Sequence, residues 1–160
     1  MYVLPTIDDT QAFGRGLAAL LRAGDLVVLS GPLGAGKTAM AQGVGAGLQV
    51  QGAITSPTFV IARVHRPASP GGVALVHVDA YRFGAVADPR AEIDDLDLDA
   101  SMDDSVTLVE WGEGMVEQLA DAHLEVRIDR SDDETRSVEL IGHGGDWDAR
   151  LRSGLRYAPC

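Results

Sequence analysis

Eight consecutive residues, Gly31, Pro32, Leu33, Gly34, Ala35, Gly36, Lys37 and Thr38, follow the pattern G-x-x-x-x-G-K-[ST]. The chemistry this pattern serves is phosphate binding. Glycines let the backbone turn so that successive N–H groups point at phosphate oxygens. The helix expected to follow adds the partial positive charge of its N-terminus. In such a loop the cradle is formed by Gly34, Ala35, Gly36, Lys37, Thr38 and Ala39, with Lys37 reaching the β- and γ-phosphates and the Thr38 hydroxyl binding Mg²⁺. The chain has thirteen basic residues, and Lys37 is its one lysine; the rest are arginine. A planar, bulkier guanidinium does not replace a compact ammonium inside a tight loop, so this position keeps lysine while the rest of the chain does without it. A nucleoside triphosphate is therefore the expected ligand. The guanine reader of GTPases, N-K-x-D, needs an asparagine and a second lysine, and the chain has neither. ATP is the expected nucleotide.

A phosphate loop needs an acidic residue at the end of a neighbouring strand. Asp79 follows the apolar stretch Val73–Val78, and Glu110 follows Val106–Val109. Sites in such sheets lie at the carboxyl ends of strands, so either carboxylate can hold Mg²⁺, directly or through water, while the other positions the attacking water. Thr55, Ser56, Pro57 and Thr58 read either as a loop that senses the terminal phosphate or as a plain proline turn. His77 reads as a base or as a packed strand residue. Trp111 reads as core or as a cover for the nucleotide. Tyr81 and Arg82 lie close behind Asp79, where Arg82 can meet phosphate or an acidic neighbour.

These groups need elements to carry them. Asp9 to Arg22 reads as a helix, capped by Asp8 or Asp9, with Phe13, Leu17, Leu20 and Leu21 on one stripe and Gly24 as its stop. Leu26–Leu29 is wholly apolar, as in a strand buried on both faces of a parallel sheet. A small-residue helix follows from about Lys37 to Leu48. Strands are expected at Phe59–Val64, Val73–Val78, Val106–Val109, Leu124–Ile128 and Val138–Ile141. The turn Pro67–Gly72 makes the first two a hairpin or loop-connected neighbours. Met115–Ala120 reads as a short helix, Asp129–Thr135 as a polar turn, and Asp146–Arg156 as a closing helix. Strands alternating with helices give an α/β sandwich with a mostly parallel central sheet and additional antiparallel strands.

The 160 residues fit one domain, 1–160, and a composition 46% hydrophobic and 23% charged excludes disordered and collagen-like classes. A net charge of −11 argues against a protein that neutralises nucleic-acid phosphates, DNA included, with a basic face of its own. No apolar run approaches the roughly 20 residues of a membrane helix. The N-terminus turns acidic at Asp8 and Asp9, unlike a secretory signal. A single cysteine, Cys160, forms no internal disulfide and fits a reducing cytoplasm. Most of the net negative charge lies between Asp88 and Asp104, where eight acidic residues face one arginine, Arg90. That segment is either a solvated face or a docking surface for a basic partner.

Taken together, Gly-Pro-Leu-Gly-Ala-Gly-Lys-Thr (31–38), Ser-Pro-Thr-Phe (56–59), His-Val-Asp-Ala-Tyr-Arg (77–82) and Leu-Val-Glu-Trp (108–111) resemble the TsaE (YjeE-type) family, bacterial ATPases of tRNA threonylcarbamoyladenosine (t6A) synthesis. The likeness runs over nearly the whole chain. It implies a P-loop NTPase-like fold, ATP and Mg²⁺ as ligands, and action with two partner proteins, TsaB and TsaD, so that tRNA is met only through the complex. It further implies Lys37 and Thr38 as phosphate and Mg²⁺ residues, Glu110 as the second Mg²⁺ group, and Asp79 as the catalytic or water-ordering acid. Thr58 falls on the switch-like loop, Trp111 beside Glu110, and Arg136 at the nucleotide. The family pattern fits least well at Pro67–Gly72 and Asp88–Asp104. Two other classes compete. A small-molecule kinase would carry a lid with clustered arginines, whereas those of this chain are scattered. A nucleotide-dependent binding switch would bind without turnover.

Overall fold

Leu26–Ser30 is apolar in every position but its last, and all five residues are buried. A strand without a polar face has to be covered on both sides, which is the situation of a central strand in a parallel sheet. The computed structural model describes residues 1–32, 34–52, 54, 62–79, 104–110 and 122–155, and places this segment, β2, in that position. The other strands are β1 (Tyr2–Leu4), β3 (Ala62–His65), β4 (Ala74–Asp79), β5 (Ser105–Glu110), β6 (His123–Arg130) and β7 (Arg136–His143). The helices are α1 (Ile7–Ala18), α2 (Lys37–Leu48) and α3 (Trp147–Arg152). Among the described residues they form a seven-stranded sheet in the order β1-β7-β6-β2-β5-β4-β3. The inner four strands, β6, β2, β5 and β4, are parallel; β7 and β1 on one side and β3 on the other run antiparallel to their neighbours. The expected mostly parallel centre with antiparallel additions is what the chain forms.

Some boundaries differ from expectation, each for a local reason. Helix α1 starts earlier because Thr6, in extended conformation, is the N-cap: its Oγ1 accepts from Asp9 N, and Asp9 Oδ2 accepts from Thr6 N, both at 3.1 Å. This reciprocal pair is a capping box, so Asp9 completes the cap from inside the helix. The α-helix ends at Ala18, not Arg22, because the last turn tightens. Leu20 N donates to Leu17 O and Leu21 N to Ala18 O, and Asp25 Oδ2 then takes the N–H of Arg22 at 2.6 Å. Leu21 is still buried, so the apolar stripe outlasts the helix. Gly24 turns the chain at φ 92° and donates to Ser105 O. β3 and β4 form an antiparallel hairpin, resolving that alternative; residues 59–61 of the first expected strand lie outside the described residues, as does the expected helix at Met115–Ala120. The closing helix is shorter than Asp146–Arg156. It is anchored by buried Trp147, under the Arg150 guanidinium at 4.0 Å, and by the Arg150–Asp25 ion pair at 2.5 Å. The three-residue β1 went unexpected because so short a segment shows no period. Tyr2 meets the Phe13 ring edge-on at 4.9 Å, and Leu4 is fully buried.

The core gathers Phe13 and Leu17 of α1, Met40 and Val44 of α2, and the inward residues of β2, β5 and β6, such as Leu29, Leu108 and Val126. The two helices pack so closely that side chains do not fit between them. A Cβ on Gly43 would lie 2.1 Å from Gln11 O, and one on Gly14 would lie 2.5 Å from Met40 O. Among the described residues no helix is long and apolar enough to cross a membrane. Gly43→Ala forces the helices apart against a packed core, a change expected to cost about 1–3 kcal/mol. Urea unfolding measures it; an unchanged midpoint would mean that the helices do not approach this closely.

Candidate phosphate-binding site

The site begins where β2 ends. Burial of β2 at the centre of the sheet delivers Gly31 and the residues after it to the carboxyl edge of the parallel strands, and the chain re-enters as α2 at Lys37. Two glycines are required here by geometry. A Cβ on Gly31 would lie 2.2 Å from Ile128 O. Gly36, the N-cap of α2, has φ 107°, which favours glycine. Gly36 offers no side-chain cap to the helix. The first N–H groups of α2 therefore have neither an intrahelical partner nor a capping oxygen from that residue.

Lys37 is buried, with 6% of its surface exposed. Its Nζ donates to Gly31 O at 2.7 Å and to Pro32 O at 3.2 Å, so the loop is wrapped around its own ammonium. Thr38 and Ala39 are half-buried in the first turn of α2, Ala35 is buried and Gly34 is exposed. An uncapped helix N-terminus, a glycine turn and an ammonium together make a site for an oxyanion such as phosphate.

Arginines of the β6–β7 hairpin hold the loop from below. Arg136, 5% exposed, donates from Nε to Ala35 O at 3.1 Å and from Nη1 to Glu134 O at 2.9 Å. A Cβ on Gly36 would come within 2.9 Å of Arg136 Nε, so the guanidinium and the loop backbone are in contact. Arg130 donates to Gly34 O at 3.4 Å and pairs with Glu134. Arg136 was expected at the nucleotide from the resemblance; the hydrogen bonds described for it go to Ala35 O of the loop and to Glu134 O of its own hairpin. Sequence reasoning missed Arg130, whose contact spans 96 positions and leaves no local signal.

The strand ends that carry Glu110 and Asp79 lie on the other side of β2. In register, Leu29 is paired with Glu110, and Glu110 with Asp79, so the ends of β2, β5 and β4 lie side by side. Glu110 is buried and its Oε2 lies 2.9 Å from His77 Nε2; His77 is fully buried. His77 is thus a hydrogen-bonded strand residue, held against the site's own carboxylate. Asp79 is described here only by its backbone pairing. Thr55–Thr58, Tyr81, Arg82, Trp111 and positions 88–103 of the acidic segment lie outside the described residues.

On the opposite face of the sheet, Glu125 receives Ser30 Oγ at 3.2 Å, Arg127 Nε at 2.9 Å and His143 Nε2 at 3.2 Å. Burial pushes its carboxyl up, but the hydrogen bonds from Arg127, His143 and Ser30 outweigh this and hold it below the ordinary carboxylate range. A groove of about 350 Å³ opens nearby, lined by Ser30, Pro32, Arg127, Asp129 and Glu139 among others.

Fold and loop define the class: a P-loop NTPase-like α/β protein. Residues 4–138 match the family model described as threonylcarbamoyl adenosine biosynthesis protein TsaE. The chain is 59% identical over 141 residues to a Streptomyces coelicolor protein named tRNA threonylcarbamoyladenosine biosynthesis protein TsaE, covering 86% of this chain and 93% of that one. A Bacillus subtilis protein of the same name is 33% identical over 88% of this chain and 84% of its own length. The crystal structure of Bacillus subtilis YdiB superposes with a TM-score of 0.74 at 25% identity, covering 95% of this chain and 90% of that one. The chain belongs to the TsaE family.

Two outcomes follow from the geometry. Arg136→Met removes charge-assisted bonds to the carbonyls of Ala35 and Glu134 and is expected to cost about 1.5–3 kcal/mol, with faster amide exchange at Ala35–Thr38; exchange confined to other segments would separate Arg136 from the loop. For Glu125, a carboxyl depressed in the folded state adds stability above its unfolded pKa and loses it as pH falls through the folded value. Glu125→Gln should therefore flatten the acid limb of a stability–pH curve, and a curve unchanged in shape would remove Glu125 from it.

Proposed function

We propose that residues 1–160 form a Mg²⁺-dependent P-loop ATPase domain that supports t6A modification of tRNA in the cytoplasm, acting with TsaB and TsaD and meeting tRNA only through that complex. The observation that carries the reading is the loop wrapped around buried Lys37, beside the strand-end carboxylate Glu110, in a chain of the TsaE family. The net charge of −11 supports contact with tRNA at one remove.

The donor set fits Mg²⁺, which takes hard oxygen ligands and uses one or two carboxylates together with substrate phosphates. Thr38 supplies a hydroxyl and Glu110 a carboxylate, and among the described residues no group of three or more His, Cys, Asp or Glu side chains gathers a metal by itself. Mg²⁺, when bound, would offset the charge that develops on the phosphate oxygens. The N–H groups from Gly34 to Ala39 bind the phosphate chain, and Lys37 exchanges its loop carbonyls for β- and γ-phosphate oxygens. Arg136 acts on the loop's shape. Asp79 orders the attacking water, and Thr58 and Trp111 contribute to nucleotide binding.

Phosphate release by the chain alone, with TsaB and TsaD, and with small acceptors tests the reading. Stimulation by the two proteins supports it; phosphate transfer to a small acceptor would make the chain a kinase, and nucleotide binding without release would make it a switch. Lys37→Ala is expected to reduce nucleotide binding and release by at least about 100-fold, the loss of roughly 2.7 kcal/mol, and an unchanged rate would sink the loop assignment. Glu110→Ala should lower kcat more than nucleotide affinity, and a normal kcat would take it out of the site.

A further inference from the structure

His77 is a polar residue in the middle of the molecule that the proposed reaction does not use. It lies on β4 two positions before Asp79 and is fully buried. Its lateral neighbour on β5 is Leu108, two positions before Glu110. The imidazole thus reaches along the sheet toward its carboxyl edge, and Nε2 meets Glu110 Oε2 at 2.9 Å. The other ring nitrogen, Nδ1, is buried and has no hydrogen-bond partner among the described residues. A ring kept only to fill space would be better replaced by an apolar residue, because burying a polar nitrogen without a partner costs free energy. What the histidine provides in return is one directional N–H bond to one carboxylate oxygen.

We propose that His77 is a positioning residue for Glu110. By donating Nε2–H to Oε2 it fixes the carboxylate's rotamer and engages one of its oxygens, so that Oε1 is the oxygen presented to the Mg²⁺–nucleotide complex. The orientation of a metal-binding carboxylate by a buried donor behind it is a general device, and losing such a donor lowers affinity or activity about 10- to 100-fold. This inference rests on the reading of Glu110 as an Mg²⁺ group. It adds to that reading the reason for a histidine at position 77 and the atom through which it works.

The test uses the full chain and three variants. Glutamine places its amide nitrogen the same number of bonds from the backbone as histidine Nε2; asparagine places its own where Nδ1 lies; leucine removes the donor. Two quantities are read. One is the Mg²⁺ concentration that half-saturates binding of a fluorescent, non-hydrolysed ATP analogue; the other is kcat and KM for ATP in the presence of TsaB and TsaD. Urea unfolding of each variant is measured alongside. His77→Leu and His77→Asn are expected to raise the half-saturating Mg²⁺ concentration and lower kcat by about tenfold or more, with KM for ATP changed less. His77→Gln should restore both to within a few-fold of the parent. If folded His77→Leu or His77→Asn keeps the parent's Mg²⁺ dependence, or if all three variants lose activity only in step with stability, the positioning role is overturned. Glu110→Ala, measured in parallel, separates this failure from that of the underlying reading. Impaired Mg²⁺ dependence in Glu110→Ala with a normal His77→Leu would leave Glu110 in the site and His77 out of it. A normal Glu110→Ala would remove both.

Discussion

An ammonium buried inside a protein has to be surrounded by oxygen atoms, because stripping it of water without replacement costs several kcal/mol. Lys37 meets this demand with the carbonyls of Gly31 and Pro32, residues of the loop it closes. Much of the site's architecture follows from that contact. The loop must curl tightly enough to bring two carbonyls to one nitrogen, so Gly36 takes a left-handed conformation and Gly31 passes too close to Ile128 O to carry a side chain. The loop must also start from a fixed point. β2, buried along its whole length and paired on both edges, supplies that point.

The same central strand distributes the remaining groups. Its two neighbours, β5 and β6, are parallel to it, so both end or pass at the edge where the loop begins. On the β6 side, the hairpin to β7 brings Arg130 and Arg136 under the loop. On the β5 side, Glu110 comes level with Leu29, and β4 adds His77 behind it. The loop is thereby braced from one flank and faced by a carboxylate on the other. The antiparallel strands have distinct uses: β7 carries the brace, β1 covers the edge of β7, and β3 covers the edge of β4.

What was legible in the sequence was what is local along the chain. The glycine-rich loop is eight consecutive residues, and its glycines and lysine each state their requirement by type. β2 announces itself by lacking a polar face, and Glu110 by ending an apolar run. The capping box Thr6–Asp9 was also written locally, as a threonine three positions before an aspartate; reading the aspartates as the cap displaced the start of α1 by two residues. The helix end was less legible, because Leu21 is buried as part of the stripe yet belongs to a tightened turn set by Asp25. Nothing local announces that Arg136 binds a carbonyl 101 positions away, or that His77 meets a carboxylate 33 positions away. Those contacts depend on strand order and register, which one-dimensional periodicity does not contain.

The division of labour between the cations follows from the same geometry. Inside the loop, one nitrogen has to sit within reach of two converging carbonyls, and a small ammonium on a flexible stem does this without imposing a plane. Outside the loop, Arg136 joins Ala35 O to Glu134 O through two different nitrogens, Nε and Nη1. A planar fork with donors on different nitrogens spans such a pair; an ammonium would serve it poorly. The chain's bias toward arginine therefore suits the braces and ion pairs that Arg130, Arg136 and, on the opposite face, Arg127 make around the site. It fails at one position, where the acceptors converge, and there the sequence departs from its own habit and keeps a lysine.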